Sequence, residues 1–322
     1  MIQTVTGEIN NIATGKALVH EHISCASNNL LSAFGKDWLD REYLTEYATE
    51  VLKVAKKTYS LNLLVDGTPI DLGRDASLLK EISQKSGVNI VASTGFYFFH
   101  DFGIDGITHV ELADFLIKEC KNGMDGTDVK PGILKCAACS NEFSQEIIKK
   151  HACIGLVQKE TGLPVYVHCE HKDNAVFEQI DVLQKYGADI EKIIIGHCAR
   201  RPDFNYLEQI LKIGCYVSVD QSFCFPNDLP YIADFVIKAC ERGHREKLLV
   251  SNDYCIHSDF GLRHRNGFHL NIKEQVQKLG HVFDSLYNEF VLNGGKTNDW
   301  ETITTRNTFN ALNRNGDEKI AE

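Results

Sequence analysis

The sequence has no long apolar run and no excess of positive charge. No stretch approaches the roughly 18 consecutive apolar residues of a membrane-spanning helix, and residues 1–5 have neither the basic nor the apolar part of a secretion signal. The net charge of −10 at pH 7 disfavours a general role in binding nucleic acid or an anionic membrane. We therefore expect a cytoplasmic protein with no nucleic-acid partner and no membrane partner.

Two further signatures are missing from the chain. No glycine-rich phosphate loop of the Rossmann or Walker type follows any apolar run. The eleven cysteines are odd in number and scattered along a chain that is too long for a disulfide-framed miniprotein. Cys136 and Cys139 have C-x-x-C spacing, but no second pair accompanies them at the spacing of a zinc finger. We therefore expect small buried thiols in a reducing compartment.

What the sequence does contain is an alternation of apolar, β-branched runs with segments of helical periodicity. The eight runs are Ala17–Val19, Leu61–Val65, Val88–Ala92, Gly132–Leu134, Pro164–Val167, Lys192–Ile195, Cys215–Val219 and Lys247–Val250. Strands that alternate with helices form parallel sheets, and eight of them match a closed (β/α)8 TIM barrel of the α/β class. An open, doubly wound sheet is the alternative, although such sheets usually stop at fewer strands.

The 322 residues would fit either two modest domains or one barrel with insertions. No linker divides the chain, because the glycine-rich and polar segments at 122–127 and 293–298 are short enough to be loops. We predict a single domain over residues 1–322, with a small hairpin of Val5–Asn10 against the first strand at the bottom of the barrel. Residues 313–322 are polar and are predicted to form a frayed tail.

His20 and His22 come directly after the first apolar run. Alternate side chains of an extended strand point the same way, so both imidazoles project to one side. On its own, such a pair fits two solvent-facing or core histidines as well as half of a metal site. The active sites of (β/α)8 barrels lie at the carboxyl ends of the strands, so the other strand ends decide between these interpretations.

Ligand-type residues follow four of the other runs. After runs four, five, six and eight, respectively, these residues are Lys135, His168, His197 and Asp253. Four histidines and an aspartate at matching positions of one barrel are too orderly for core packing. The pattern therefore favours a metal site.

Lys135 needs a separate explanation, because a charged ammonium beside metal ions would be repelled. Buried lysines lose their proton readily, and a neutral amine reacts with carbon dioxide to give a carbamate. The carbamate is an anionic ligand with two oxygens, able to bridge two metal ions. The alternatives are a Schiff-base nucleophile or an outward-facing surface lysine, and the surrounding histidines favour the metal site.

In this order and over nearly the whole chain, these motifs resemble the phosphotriesterase-like family of the amidohydrolase superfamily. Residues 15–23 resemble the G-x-T-L-x-H-E-H signature of that family, with Ala17 in place of threonine. The other matching segments are Val65–Thr68, Gly73–Asp75, Gly196–Cys198 and Ser251–Tyr254. The set is specific for the family but not for its substrate.

The resemblance implies a binuclear centre of two divalent metal ions, usually Zn²⁺. The implied ligands of one ion are His20, His22 and Asp253, and those of the other ion are His168 and His197. The implied bridge between the two ions is Lys135, carboxylated by CO₂. A metal-bridging hydroxide would attack the substrate, and Asp253 would be the catalytic residue that carries the proton to the leaving alkoxide. Relatives are often dimers, so a homodimer is an expectation from the resemblance.

The chain departs from true phosphotriesterases behind the metal-bound aspartate. Those enzymes have a His-Asp relay there, whereas this chain has Gln221 at the histidine position and Arg200 at the aspartate position. Many relatives without the relay are lactonases. The resemblance therefore points to the lactonase branch and to the opening of a lactone ring.

The loop at residues 257–269 is polar and basic and does not provide the apolar channel that an acyl-homoserine lactone needs. Arginines at the mouth of a site often bind carboxylate or phosphate through paired hydrogen bonds. We predict a phosphorylated sugar (aldono-1,4-) lactone bound by Arg263 and Arg265, with Lys172 and Tyr97 as weaker substrate-binding candidates.

Several alternatives stay open at this point. The arginines of the loop would also fit a solvated face or local ion pairs. The metal core would support a phosphotriesterase, a general esterase or an acyl-homoserine lactonase. A non-catalytic metal-binding or scaffold protein is disfavoured by the complete ligand set.

Overall fold

The computed structural model of the protein describes residues 1–10, 15–138, 143–170, 175–198, 201, 203–224, 226–259 and 270–314. The strands are β1 Ile2–Thr4, β2 Gly7–Ile9, β3 Lys16–Cys25, β4 Leu61–Asp66, β5 Asn89–Gly95, β6 Ile133–Ala138, β7 Val165–Cys169, β8 Ile193–Ile195, β9 Tyr216–Val219, β10 Leu248–Val250 and β11 Cys255–Ser258. The α-helices are α1 Asn28–Phe34, α2 Arg41–Tyr59, α3 Ala76–Ser86, α4 His109–Asn122, α5 Gln145–Thr161, α6 Ala175–Lys185, α7 Phe204–Ile213, α8 Leu229–Glu241, α9 Ile272–Leu279, α10 Tyr287–Leu292, α11 Thr297–Thr304 and α12 Arg306–Leu312.

The strands β3 to β9 lie side by side in chain order, and each pairs in parallel with the next. β10 pairs with β9 and β11 pairs with β3, so these two successive pieces together form the eighth strand of a ring. Between them, the backbone N–H of Asp253 donates to the carbonyl of His20 at 2.8 Å, and that of His22 donates to Tyr254 at 2.9 Å. The predicted (β/α)8 barrel is confirmed.

Both faces of the barrel strands are buried. Leu18, Leu134 and Val167 belong to the main apolar cluster, which includes apolar residues of the surrounding helices. Neighbouring residues on the same strands belong to a second cluster that fills the barrel; among them are Ala17, Ile133 and Tyr166. Burial on both sides explains why these strands read as continuous apolar runs rather than as alternating ones.

Polar side chains cap the helices close to the loops that carry the site. Asp40, Asp75, Ser144 and Asp203 each accept a hydrogen bond from a backbone N–H in the first turn of α2, α3, α5 and α7, respectively. Such caps satisfy N–H groups that have no partner within the helix. Because the helices begin at the carboxyl end of the strands, the caps also fix the starting geometry of those loops.

The bottom of the barrel corrects one expectation about the amino terminus. The hairpin forms between β1 and β2 themselves, rather than between Val5–Asn10 and the first barrel strand. It reaches the barrel through Val5, whose N–H donates to the carbonyl of Ile90 at 2.8 Å. Gly132 permits the close approach, because a Cβ at that position would lie 2.2 Å from the carbonyl oxygen of Gln3.

The chain returns to this lower end at its last described residues. Asn313, the first residue of the segment predicted to fray, accepts hydrogen bonds from the Met1 amino group and from Lys192 at 2.5 Å each. Residues 315–322 lie outside the described residues.

The described residues bear on two expectations from composition, which concern membrane-spanning helices and the burial of the cysteines. Within them, no helix combines the length and the apolar character required to cross a membrane. Most of the described cysteines, including Cys136, Cys169 and Cys198, are free and buried. Cys139 lies outside the described residues.

Candidate metal centre

Polar side chains from several strands converge at the carboxyl end of the barrel. They line a cavity of about 220 Å³ whose wall includes His20, His22, Lys135, His168 and Asp253. His197 lies directly beside it, with its Nε2 2.5 Å from Nδ1 of His168. The six residues predicted as metal ligands therefore lie together in the structure.

A bulge in β3 sets the direction of its two histidine side chains. The pairing of β3 with β4 shifts register between Leu18 and Glu21, so Val19 and His20 both face the inside of the barrel although they are consecutive. Bulges of this kind re-aim side chains and are frequent beside active sites. The apolar interior therefore changes to a polar site within a single step along the chain.

Asp253 faces both histidines of β3. Its Oδ1 lies 3.4 Å from Nε2 of His20 and 3.2 Å from Nε2 of His22. Burial alone would raise the pKa of Asp253, but electrostatic interactions with His20, His197 and His22 and a hydrogen bond from His22 hold it well below its ordinary value. Asp253 is therefore an ionised carboxylate at neutral pH.

Lys135 is fully inside the site. Its Nζ lies 2.7 Å from Nε2 of His20 and 4.4 Å from the ring centre of Tyr166, and the residue is 1% exposed. This position rules out the surface-lysine alternative. Burial lowers the pKa of Lys135, which favours the neutral amine that reacts with carbon dioxide.

Asp220 orients two of the histidines, a role that the sequence analysis missed. One of its oxygens lies 3.1 Å from Nδ1 of His20 and accepts from the Tyr166 hydroxyl, and the other lies 2.9 Å from Nδ1 of His197. An Nδ1–H donated to a carboxylate leaves the Nε2 lone pair free for a metal ion. Asp220 directly follows β9, so the strand-end rule applied to that strand would have found it.

Glu21, the middle residue of the H-E-H motif, forms hydrogen bonds with the connection between the two pieces of the eighth strand. The oxygens of its buried carboxyl group accept hydrogen bonds from the Ser251 hydroxyl at 2.7 Å and from the backbone N–H groups of Asn252 and Tyr254 at 2.7 and 2.9 Å. Burial raises the pKa of Glu21 to about 8. These bonds hold the backbone on both sides of Asp253, a position with φ of 56°.

Gln221 lies next to Asp253, at the position where true phosphotriesterases have the relay histidine. Its side-chain N–H donates to Oδ2 of Asp253 at 2.5 Å. Gln221, Asp253 and His197 all have positive φ values between 56° and 60°. Non-glycine residues in this backbone region are strained and cluster at functional sites.

The donor set fits divalent metal ions. One ligand atom each of His20, His22 and Asp253 lies within 4.8 Å of those of the other two. Burial lowers the pKa of His20 to about 3 and that of His168 well below its usual value, so both are neutral imidazoles. Neutral imidazole and carboxylate are the ligands that zinc and similar ions take.

His22 differs from the other two histidines. Burial lowers its pKa, but the neighbouring Cys25 and Asp253 outweigh burial and raise it well above the ordinary value. A metal ion would displace this proton, so metal loading should strengthen as the pH rises.

The predicted substrate-binding residues are only partly within the described structure. The Tyr97 hydroxyl lies 3.4 Å from Nε2 of His168, and the Tyr97 side chain lines the cavity. Arg263, Arg265 and Lys172 lie outside the described residues, as does Arg200.

Comparison with known proteins places this site in a family. The model of the phosphotriesterase family matches residues 1–291. The chain is 27% identical over 274 residues to a phosphotriesterase homology protein of Mycobacterium tuberculosis, covering 80% of this chain and 82% of that protein. It is 27% identical over 253 residues to an aryldialkylphosphatase of Saccharolobus solfataricus, covering 77% and 79%. It is 28% identical over 247 residues to a human N-acetyltaurine hydrolase, covering 68% and 71%. The chain therefore belongs to the phosphotriesterase family and is a hydrolase.

Proposed function

We propose that the protein is a metal-dependent hydrolase that opens a lactone ring, with a phosphorylated sugar lactone as its substrate. The observation that carries this proposal is the hydrogen bond from Gln221 to Oδ2 of Asp253, at 2.5 Å. An amide in this position passes no proton onward, so a proton taken up by Asp253 has to return to the leaving group.

This proton balance suits an alkoxide leaving group. The alkoxide of an opening lactone is strongly basic and needs a proton, whereas an aryloxide departs readily as an anion. Asp253, ionised and facing His20 and His22, would accept the proton of the attacking water and return it to the alkoxide. The lactone alkoxide stays tethered to the product, within reach of the same carboxylate.

The proposed metal ligands are those predicted from the sequence. His20, His22 and Asp253 would hold one ion and His168 and His197 the other, with carboxylated Lys135 between them. When bound, two divalent ions such as Zn²⁺ would acidify a water molecule and polarise the carbonyl oxygen of the substrate. Asp220 would keep the Nε2 atoms of His20 and His197 directed at the site.

A second candidate is the hydrolysis of an N-acyl amide whose amine part carries an anionic group. It is favoured by the similarity to proteins named N-acetyltaurine hydrolase. The departing amine also takes a proton, so the pairing of Asp253 with Gln221 suits this reaction as well. Both candidates have an anionic group, which the arginines predicted to bind substrate, Arg263 and Arg265, would bind.

A substrate panel on the zinc-reconstituted full chain would test the proposal. The panel contains aldono-1,4-lactones with and without a 5-phosphate, acyl-homoserine lactones, N-acetyltaurine and diethyl 4-nitrophenyl phosphate. We expect the highest kcat/KM for a phosphorylated lactone. A higher value for N-acetyltaurine would select the second candidate, and a higher value for unphosphorylated or acyl-homoserine lactones would refute the anion-binding role of the loop.

Charge reversal tests the loop directly. Arg263→Glu and Arg265→Glu should raise KM for a phosphorylated lactone and leave KM for its unphosphorylated form unchanged. Lys57→Glu, at an exposed position of α2, is the matched control. Equal effects on both lactones would contradict phosphate binding by these arginines.

A further inference from the structure

The wall of the cavity contains a segment whose backbone is hydrogen-bonded by buried charged side chains from two other elements. We define Tyr97–Phe99 as the aromatic segment; it follows β5 closely. The Tyr97 ring packs edge-on against the His168 ring at 5.0 Å, and Tyr97 and Phe99 line the cavity. Phe99 is 38% exposed, so this end of the segment is not buried in the core.

Asp71, from the loop after β4, holds one end of the aromatic segment. Both of its carboxylate oxygens accept from the backbone N–H of Tyr97, at 2.7 and 2.9 Å. The Asp71 carboxylate also lies 3.8 Å from Nζ of Lys150.

Lys150, on α5, holds the carbonyls of the same segment. Its Nζ donates to the carbonyl of Tyr97 at 3.2 Å and to that of Phe99 at 2.5 Å. Nζ also lies 2.9 Å from Glu146, so the three N–H groups of the ammonium have three acceptors closer than Asp71. Lys150 is only 1% exposed, and burying a charge is costly unless it is paired and hydrogen-bonded in this way.

We propose that Asp71 and Lys150 are positioning residues that set substrate specificity, by clamping the backbone of the aromatic segment against the metal site. Neither residue lies among those lining the cavity, and both act through Tyr97 and Phe99. The clamp joins the loop after β4 to α5 across the aromatic segment, so the aromatic wall is held from two elements at once. This inference requires a hydrolytic site in the cavity but not a lactone substrate.

Lys150→Met and Asp71→Asn test the clamp, and Lys149→Met is a matched control. Lys149 lies on the same helix and also donates to backbone carbonyls, but to those of Ile104 and Asp105, away from the cavity. Asp71→Asn keeps one oxygen acceptor and the shape of the side chain. It therefore still tests the clamp if Lys150→Met fails to fold.

The first readout is amide hydrogen exchange of the peptide that contains Tyr97, followed by mass spectrometry on the full chain. We expect exchange to accelerate by about tenfold in Lys150→Met, somewhat less in Asp71→Asn, and not at all in Lys149→Met. Unchanged exchange in both clamp variants would overturn the proposal, whatever the substrate proves to be.

The second readout is kinetic and uses 4-nitrophenyl acetate, 4-nitrophenyl butyrate and diethyl 4-nitrophenyl phosphate as probes, with zinc content measured in parallel. We expect both clamp variants to raise KM several-fold with kcat nearly constant, and to change the ratio of kcat/KM between acetate and butyrate. A fall in kcat with an unchanged ratio, or a loss of zinc, would show a merely structural role and refute the assignment.

Discussion

The two ends of the barrel are built from the same strands but have opposite chemistry. At the amino-terminal end, Ile133 and Tyr166 belong to a buried cluster of mainly aliphatic and aromatic side chains. Two residues further along the same strands, Lys135 and His168 line the polar cavity. A side-chain period of two places each pair on the same face of its strand, so the change in chemistry occurs over one layer of side chains.

The apolar, amino-terminal end of the barrel stabilises the fold, whereas the polar, carboxyl end reduces its stability. Apolar burial contributes about 25 cal/mol per Å² of surface removed from water. Burying ionisable groups at the other end is unfavourable unless each is hydrogen-bonded. Asp220 supplies such bonds to His20 and His197, and the buried carboxyl of Glu21 is itself hydrogen-bonded by Ser251, Asn252 and Tyr254.

Asp253→Asn should have the largest effect, and it should be confined to the polar end. The asparagine loses the negative charge and the ability to carry a proton, so we expect kcat to fall by about 10²- to 10⁴-fold with little change in Tm. Steady-state kinetics and thermal unfolding measure the two quantities. Asp234→Asn, at a half-buried position of α8, is the control, and wild-type activity in Asp253→Asn would refute the proton-carrying role.

Leu249→Ala should do the reverse at the amino-terminal end. Leu249 is fully buried in the cluster that fills the barrel, and truncation of such a leucine costs about 2–5 kcal/mol of unfolding free energy. Denaturant unfolding measures this loss, and kcat of the folded variant should stay near wild type. Leu292→Ala, at a leucine that is 81% exposed, should cost less than about 0.5 kcal/mol. A large drop in kcat for Leu249→Ala would show that the amino-terminal end of the barrel contributes to activity as well as to stability.

Asp220→Asn should weaken metal binding without unfolding the barrel. The amide offers a single oxygen where the carboxylate accepts from both His20 and His197, and loss of such an outer partner typically costs about 10- to 100-fold in metal affinity. Competition with a chelator measures the affinity. Asp189→Asn, at the start of a helical turn far from the site, is the control; equal affinities in the two variants would argue against orientation by Asp220.

Lowering the pH should produce the smallest effect. Burial raises the pKa of Asp71 to about 6, against the attraction of Lys150 and with a small contribution from Asp101. Below about pH 6 the carboxyl is neutral, so its bonds to Tyr97 weaken and KM for 4-nitrophenyl butyrate should rise by a few-fold between pH 7 and pH 5. The raised folded-state pKa also means that the contribution of Asp71 to stability falls as the pH rises from about 4 to 6.

Asp71→Asn provides the comparison for this pH effect. The asparagine does not titrate, so its KM should start higher than that of the wild type at pH 7 and vary less with pH. Parallel KM–pH curves for the two proteins would show that another group is responsible.

The barrel and most of the proposed ligands could be predicted because both depend on local sequence. Runs such as 61–65 and 215–219 read as buried strands wherever they lie in the fold. The residues after those runs reach the same end of the ring, since parallel strands share a direction. The partner of the amino-terminal hairpin was predicted wrongly, because local periodicity does not distinguish two possible neighbours.

The sequence by itself determined the eight strand positions of the barrel, the polar strand ends and the family, since each is carried by a few consecutive residues. Only the tertiary structure decided what Glu21, Asp220, Asp71 and Lys150 do. Glu21 bonds residues about 230 positions away, and Asp220 bonds a histidine 200 positions away. Those contacts depend on ring closure and on the bulge in β3, and no spacing along the chain encodes them, because a hydrogen bond forms between neighbours in space.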